Sequence, residues 1–174
     1  MGVTKKVRQV IVFLLAEQEY GVDIGRVYEI IRYGKPVRLP QMDSSLEGVI
    51  HLRERIIPVV DLGARLGLAP VGHSSDTAAD AGRIVIVDAG GVMVGLKVDA
   101  VREVRNLSEE SVKPSPTSGG SGAGDHGGGY IEGIALTDDK LIIMLDVGRL
   151  FSQGEAVVLT SAGKTTDREV AAVV

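Results

Sequence analysis

The chain of 174 residues has no cysteine and no tryptophan. Without thiols there is no disulfide scaffold, no cysteine nucleophile and no thiolate metal site. Aromatic side chains are scarce, two Phe and four Tyr, so a base-stacking surface is poorly supplied. Excess positive charge is missing as well. The net charge is −4, which gives no electrostatic case for nucleic acid. Long hydrophobic runs are also lacking. The apolar run Val10–Leu15 follows basic residues, as in a secretion signal, but it has no small-residue cleavage site and is too short to cross a bilayer. We read it as a buried first strand and expect a cytoplasmic protein without direct membrane insertion.

Reactive constellations are equally thin. His51, His73 and His126 show no metal-ligand spacing. No serine sits in a GxSxG elbow. The glycine-rich stretch before Tyr130 lacks the Gly-Lys-Ser/Thr ending of a phosphate-binding loop. Asp138-Asp139 reads as a polar hairpin turn. No catalytic residue, metal or cofactor is expected, and a binding module is favoured over an enzyme.

What the chain does have is a repeat. Residues 46–66 align without a gap on residues 131–151 at an offset of 85, so Glu47/Glu132, Gly48/Gly133, Asp61/Asp146 and Gly63/Gly148 coincide. Residues 10–30 align on 84–104 at an offset of 74, matching Gly21/Gly95, Val27/Val101 and Glu29/Glu103. The apolar runs are short, rich in Val and Ile, and punctuated by Gly, Pro or Asp, which predicts strands. These are expected at 9–15, 19–23, 27–33, 48–53 and 55–60, then at 83–88, 92–98, 101–106, 133–137 and 140–145. Five strands per unit (about 9–66 and 83–151) suit a small barrel. Consecutive apolar residues in VIVFLL, IVIV and LIIML predict burial on both strand faces. Pro58 cannot donate to a ladder, so its strand is expected at an edge or with a bulge. A helical turn is expected at 24–26, and short aspartate-led helices after Asp61 and Asp146.

The change of offset places an 11-residue expansion in the second unit. Residues 115–129 are expected to form a flexible Gly/Ser-rich loop. Residues 69–82 join the units, and residues 152–174 form a weakly patterned tail.

The segments EYGVDIGRVYEIIRYGKPVRLP and LEGVIHLRERIIPVVDLGARLGL, with RIVIVDAGGVMVGLKVDAVREV and YIEGIALTDDKLIIMLDVGRLF, resemble the CheW family of bacterial chemotaxis adaptors. The resemblance spans residues 7–151. It implies a mainly β fold of two five-stranded SH3-like barrels, intertwined in one domain, with short helices. It further implies a non-catalytic adaptor coupling transmembrane chemoreceptors to the regulatory domain of the histidine kinase CheA, at membrane-associated receptor arrays. Receptor-binding positions carried over are Val27, Gly48, Arg53 and Ile84; kinase-binding positions are Glu29 and Ile30. For Val27 and Ile84 plain core packing is the competing reading, for Gly48 a bulge or turn, and for Arg53 a solvated strand end. Glu29 is expected to point outward. The family usually has Asn-Leu-Arg-Gly where this chain has His51-Leu52-Arg53-Glu54. Glu54 tolerates positive φ poorly, so a hairpin turn of another type or length, re-aiming Arg53, is expected. The alternatives are an adaptor of a different chemosensory pathway, such as surface motility, and an SH3-like nucleic-acid-binding module.

Overall fold

A computed structural model describes residues 6–40, 46–68, 82–114 and 130–151. The expected loop at 115–129, the tail, His73 and His126 lie outside them. The described chain is mainly β and forms two sheets. The first unit supplies β1 (Val7–Leu15), β2 (Gln18–Asp23), β3 (Val27–Arg32), β4 (Leu46–Leu52) and β5 (Arg55–Asp61). The second supplies β6 (Arg83–Asp88), β7 (Met93–Val98), β8 (Ala100–Ser108), β9 (Val112–Lys113), β10 (Ile131–Thr137) and β11 (Lys140–Leu145). The turn at Ile24–Arg26 is a 3-10 turn feeding β3, as the mixed spacing there suggests. Asp61 accepts from the Ala64 N–H at the start of helix α1 (Leu62–Arg65), and Asp146 accepts from the Gly148 N–H.

The sheets do not follow the sequence repeats. The first sheet runs β8-β1-β2-β11-β10-β9 and the second β3-β6-β7-β5-β4. Each unit therefore lends its opening hairpin to the other unit's closing hairpin. The joins are the parallel pairs β2–β11 and β5–β7. The repeated glycines make room there: a Cβ on Gly21 would lie 2.9 Å from Met144 Sδ, and one on Gly95 3.3 Å from Val59 Cγ2. Met144 and Val59 are themselves repeat equivalents.

Both sheets curl. Leu107 on β8 and Val112 on β9 stand at opposite ends of the first sheet's order, yet share one apolar cluster with Val10, Val12, Ile142 and Met144. Ile31 on β3 and Ile50 on β4 likewise meet across the second sheet, around Ile57, Val59, Ile84 and Ile86. The alternate residues face the other way. Phe13, Leu15 and Leu145 from one sheet meet Val60, Val85, Val87 and Leu96 from the other in a shared core. Phe13 stacks on Tyr20 there, with ring centroids 6.2 Å apart. Strands buried on both faces are thus the physical meaning of the unbroken apolar runs.

Pro58 departs from expectation, because β5 is an interior strand. The N–H and C=O of Val49, opposite Pro58, both pair with Val37 at 2.8 and 2.9 Å. Val49 and Pro58 are therefore a non-hydrogen-bonded pair, and the missing N–H costs nothing on that side. On the other side the β5–β7 ladder starts only at Val59.

Candidate functional site: the β3 and β4–β5 corner

The six positions singled out by resemblance divide sharply by burial. Ile84 is fully buried in the second sheet's own cluster. Its side chain presents no surface, so plain core packing accounts for it and direct contact with a partner does not. Gly48 is buried too. Its φ of +153° and a hypothetical Cβ 2.4 Å from the Val37 carbonyl oxygen show why only glycine fits. Its work is to let the Val37 segment lie against β4. Gly133 does the same under Lys113 O, at 2.5 Å.

The other four gather around β3. Val27 pairs with Val87 and packs against the shared core. The register then slips by one residue, so that Glu29 rather than Tyr28 stands opposite Ile86. Glu29 is half-buried, its side chain 26% exposed, while Tyr28 and Ile30 on either side are exposed, 57% and 36%. Glu29, expected to point outward, reaches the surface with only part of its carboxylate. One carboxylate oxygen accepts from Arg53 Nη2 at 3.3 Å, and the other is buried with no hydrogen-bond partner. Arg53 itself is 71% exposed. The structure thus joins, by one ion pair, a residue read as receptor-facing to one read as kinase-facing.

The turn that aims Arg53 also departs from expectation. Arg53 and Glu54 form a two-residue turn with φ of 47° and 67°. Both residues are left-handed, a conformation that costs a non-glycine residue about 1–2 kcal/mol. The ladder from Leu52↔Arg55 down to Leu46↔Val60 enforces it. Ala16-Glu17 and Asp138-Asp139 adopt the same conformation without glycine. Because residues 53–54 and 138–139 are repeat equivalents, the repeat itself carried the signal for turn length.

Beside this corner Glu47 accepts from Lys97 Nζ at 2.8 Å and from the Tyr33 hydroxyl at 3.1 Å, while Lys97 lies 4.9 Å above the Tyr33 ring. Burial works against the Lys97 ammonium, but the hydrogen bond and charge of Glu47, with Tyr33 and Asp61, outweigh it and raise its pKa. Burial, followed by the charge of Glu47, raises the Tyr33 hydroxyl as well. Sequence reasoning missed this cluster, since its members lie 14 and 50 residues apart. In the first sheet a cleft of about 570 Å³ is lined by Arg8, Asp23, Arg26, Glu132, Asp146 and Arg149 among others. Its charges balance, so it favours no ligand of one sign. No group of three or more His, Asp or Glu that could hold a metal occurs among the described residues.

The fold and the corner can be placed among known proteins. The CheW-like domain family matches residues 9–155. The chain belongs to that family. It is 31% identical over 155 residues to Chemotaxis protein CheW of Treponema pallidum, covering 89% of this chain and 88% of the relative. With the Chemotaxis protein CheW of Klebsiella aerogenes it shares 27% identity over 158 residues, 91% of this chain and 90% of the relative. The crystal structure of the scaffolding protein TtCheW from Thermoanaerobacter tengcongensis superposes with a TM-score of 0.74 at 37% identity, covering 88% of this chain and 99% of that one. This CheW-like chain has no described helix long and apolar enough to cross a membrane.

Proposed function

We propose that this CheW-like chain is a non-catalytic chemotaxis adaptor, coupling chemoreceptors to the histidine kinase CheA within membrane-associated arrays. Residues 7–151 act as one domain with two intertwined halves. The observation that carries the reading is the Arg53–Glu29 pair at 3.3 Å. Arg53 is the exposed cation a receptor carboxylate would engage bidentately. Glu29, with Ile30 beside it, is the side a kinase would meet. A receptor carboxylate that draws Arg53 away leaves Glu29, already short of one partner, without its other. That makes binding at one surface depend on the state of the other, which is the requirement for an adaptor that couples two equilibria. Val27, Gly48 and Ile84 serve this corner from beneath, by holding β3, β4 and β6 in register.

The test is co-sedimentation of this protein with receptor-bearing membranes and kinase. Arg53→Glu is expected to weaken receptor recruitment by about tenfold, or ~1.4 kcal/mol, with an unchanged thermal melt. Recruitment equal to the unmodified protein would remove Arg53 from the receptor surface.

A further inference from the structure

Among the described strands, the chain passes from one sheet to the other at two joints. One is the turn Ile24–Arg26, between β2 and β3; the other is Asp99 alone, between β7 and β8. The offset of 74 makes Gly25 and Asp99 equivalent. The first joint is tied locally, since Asp23 accepts from the Gly25 N–H at 2.8 Å. The second is tied at long range. The Asp99 N–H donates to Leu14 O at 3.0 Å, and its carboxylate accepts from the Ala16 N–H at 2.9 Å, across 83 positions of the chain.

The tip that Asp99 grips is a strained one. Ala16 and Glu17 turn β1 into β2 with φ of 49° and 69°. The equivalent turn, from β6 into β7, is Gly90-Gly91, and glycine adopts positive φ without penalty. That turn is served from within its own hairpin, where Asp88 accepts from the Gly91 N–H at 2.6 Å. The residue equivalent to Asp88 is Leu14, which has no carboxylate to offer. In the first sheet the carboxylate therefore comes from the joint instead. Strained turns persist where surrounding contacts over-determine them. Here the contact that does so also sets how β7 leaves one sheet and β8 enters the other. We infer that Asp99 is a positioning residue, a lock that fixes the setting of the second sheet against the first. Without it the sheets rock about their two joints, the hinge motion that a few element-terminal residues allow. The first joint leads straight into Val27 and β3, so the candidate corner moves with the second sheet. The lock stands apart from the adaptor reading, since it needs neither receptor nor kinase.

Amide hydrogen exchange and residual dipolar couplings of the full chain test it. In the unmodified protein the amides of both sheets should fit one alignment tensor. Asp99→Ala should speed exchange at Ala16 by about tenfold, lower the urea midpoint, and leave the two sheets without a common tensor. Asp99→Asn keeps a carbonyl oxygen for the Ala16 N–H and should retain the single tensor. The deciding variant is Asp99→Ala/Ala16→Gly/Glu17→Gly, which removes the strain along with the lock. It should recover the urea midpoint while the sheets still fail to share a tensor. One tensor in Asp99→Ala would overturn the inference. So would a triple variant that recovers tensor and midpoint together, because Asp99 then does no more than support the turn.

Discussion

In the second sheet Glu47 is held by Lys97 and Tyr33; in the first, its repeat equivalent Glu132 is held by Arg8. The position equivalent to Lys97 is Asp23, which also lies 3.4 Å from Arg8. Both halves therefore pair the same glutamate, but the cation comes from β7 in one and from β1 in the other. At the tips the divergence goes further. Arg53 answers to Asp138, and Ile31, inside the second sheet's cluster, answers to Arg105, which pairs with Glu103. One backbone plan thus carries two electrostatic surfaces. Duplication preserves Gly48 and Gly133, whose close neighbours include backbone carbonyl oxygens, while the exposed tip positions have diverged.

The sharpest way to break the comparison is to ask whether the halves are separable. Phe13→Ala removes a buried ring from the shared core and is expected to cost about 3–5 kcal/mol. Because that core belongs to both sheets, far- and near-ultraviolet melts should shift together in one transition. Two separated transitions would mean that the halves unfold independently.

Next come the paired glycines. Gly48→Ala drives a methyl against Val37 O in a left-sided φ, and a loss of about 2–4 kcal/mol is expected from the clash and the strain. Gly133→Ala meets Lys113 O at nearly the same distance without that φ, so its loss should be smaller. Urea midpoints of the two variants measure the order, and a larger loss at Gly133 would sink the equivalence.

The ion pairs separate the halves by pH. The Lys97 pKa is raised above 10.5 and the Tyr33 pKa above 10.0. A raised folded-state pKa gives stability that is complete below the unfolded value and lost as pH rises through the folded one. Both groups therefore act in the same direction, and stability should fall above about pH 10. Arg8, raised above the ordinary guanidinium range chiefly by its hydrogen bond to Glu132, stays charged throughout. Urea unfolding at pH 8 and at alkaline pH should show a fall that Lys97→Arg/Tyr33→Phe reduces. Tyr20, also raised by burial in the shared core, keeps part of it. An equal fall in the variant would remove the cluster as its source.

The smallest effect sharpens the turns. Glu54→Gly relieves a left-handed glutamate and should stabilise by about 1 kcal/mol. Asp139→Gly should gain less, because aspartate tolerates that region better. Thermal melts compare the two, and an equal or reversed order would show that the turns are not alike in strain.

Much of this fold was legible beforehand. Val- and Ile-rich runs marked ten of the eleven strands among the described residues to within a few positions, and only the two-residue β9 was too short to leave a pattern. Unbroken apolar stretches correctly signalled burial on both faces of β1 and β6, whereas in LIIML Leu141 stands exposed. Pro58 misled, because its cost depends on which side of the strand its nitrogen faces, and that is set by the Val37–Val49 pairing. The candidate corner was legible only in part. Arg53 and Ile30 are on the surface, but Ile84 and an exposed isoleucine have the same local sequence character, and the register slip at Tyr28 has no signature in β3 alone.

By itself the sequence determined the repeat, the strand-rich class, the capping aspartates and the family. These rest on local pattern, on side-chain period and on matched glycines whose backbone needs are intrinsic. Only the tertiary structure decided which unit's hairpin completes which sheet, and which residues meet as a result. Identical apolar patterns in the two units would permit either pairing. The choice is made by contacts between segments far apart in the chain, such as Gly21 under Met144 and Arg53 against Glu29.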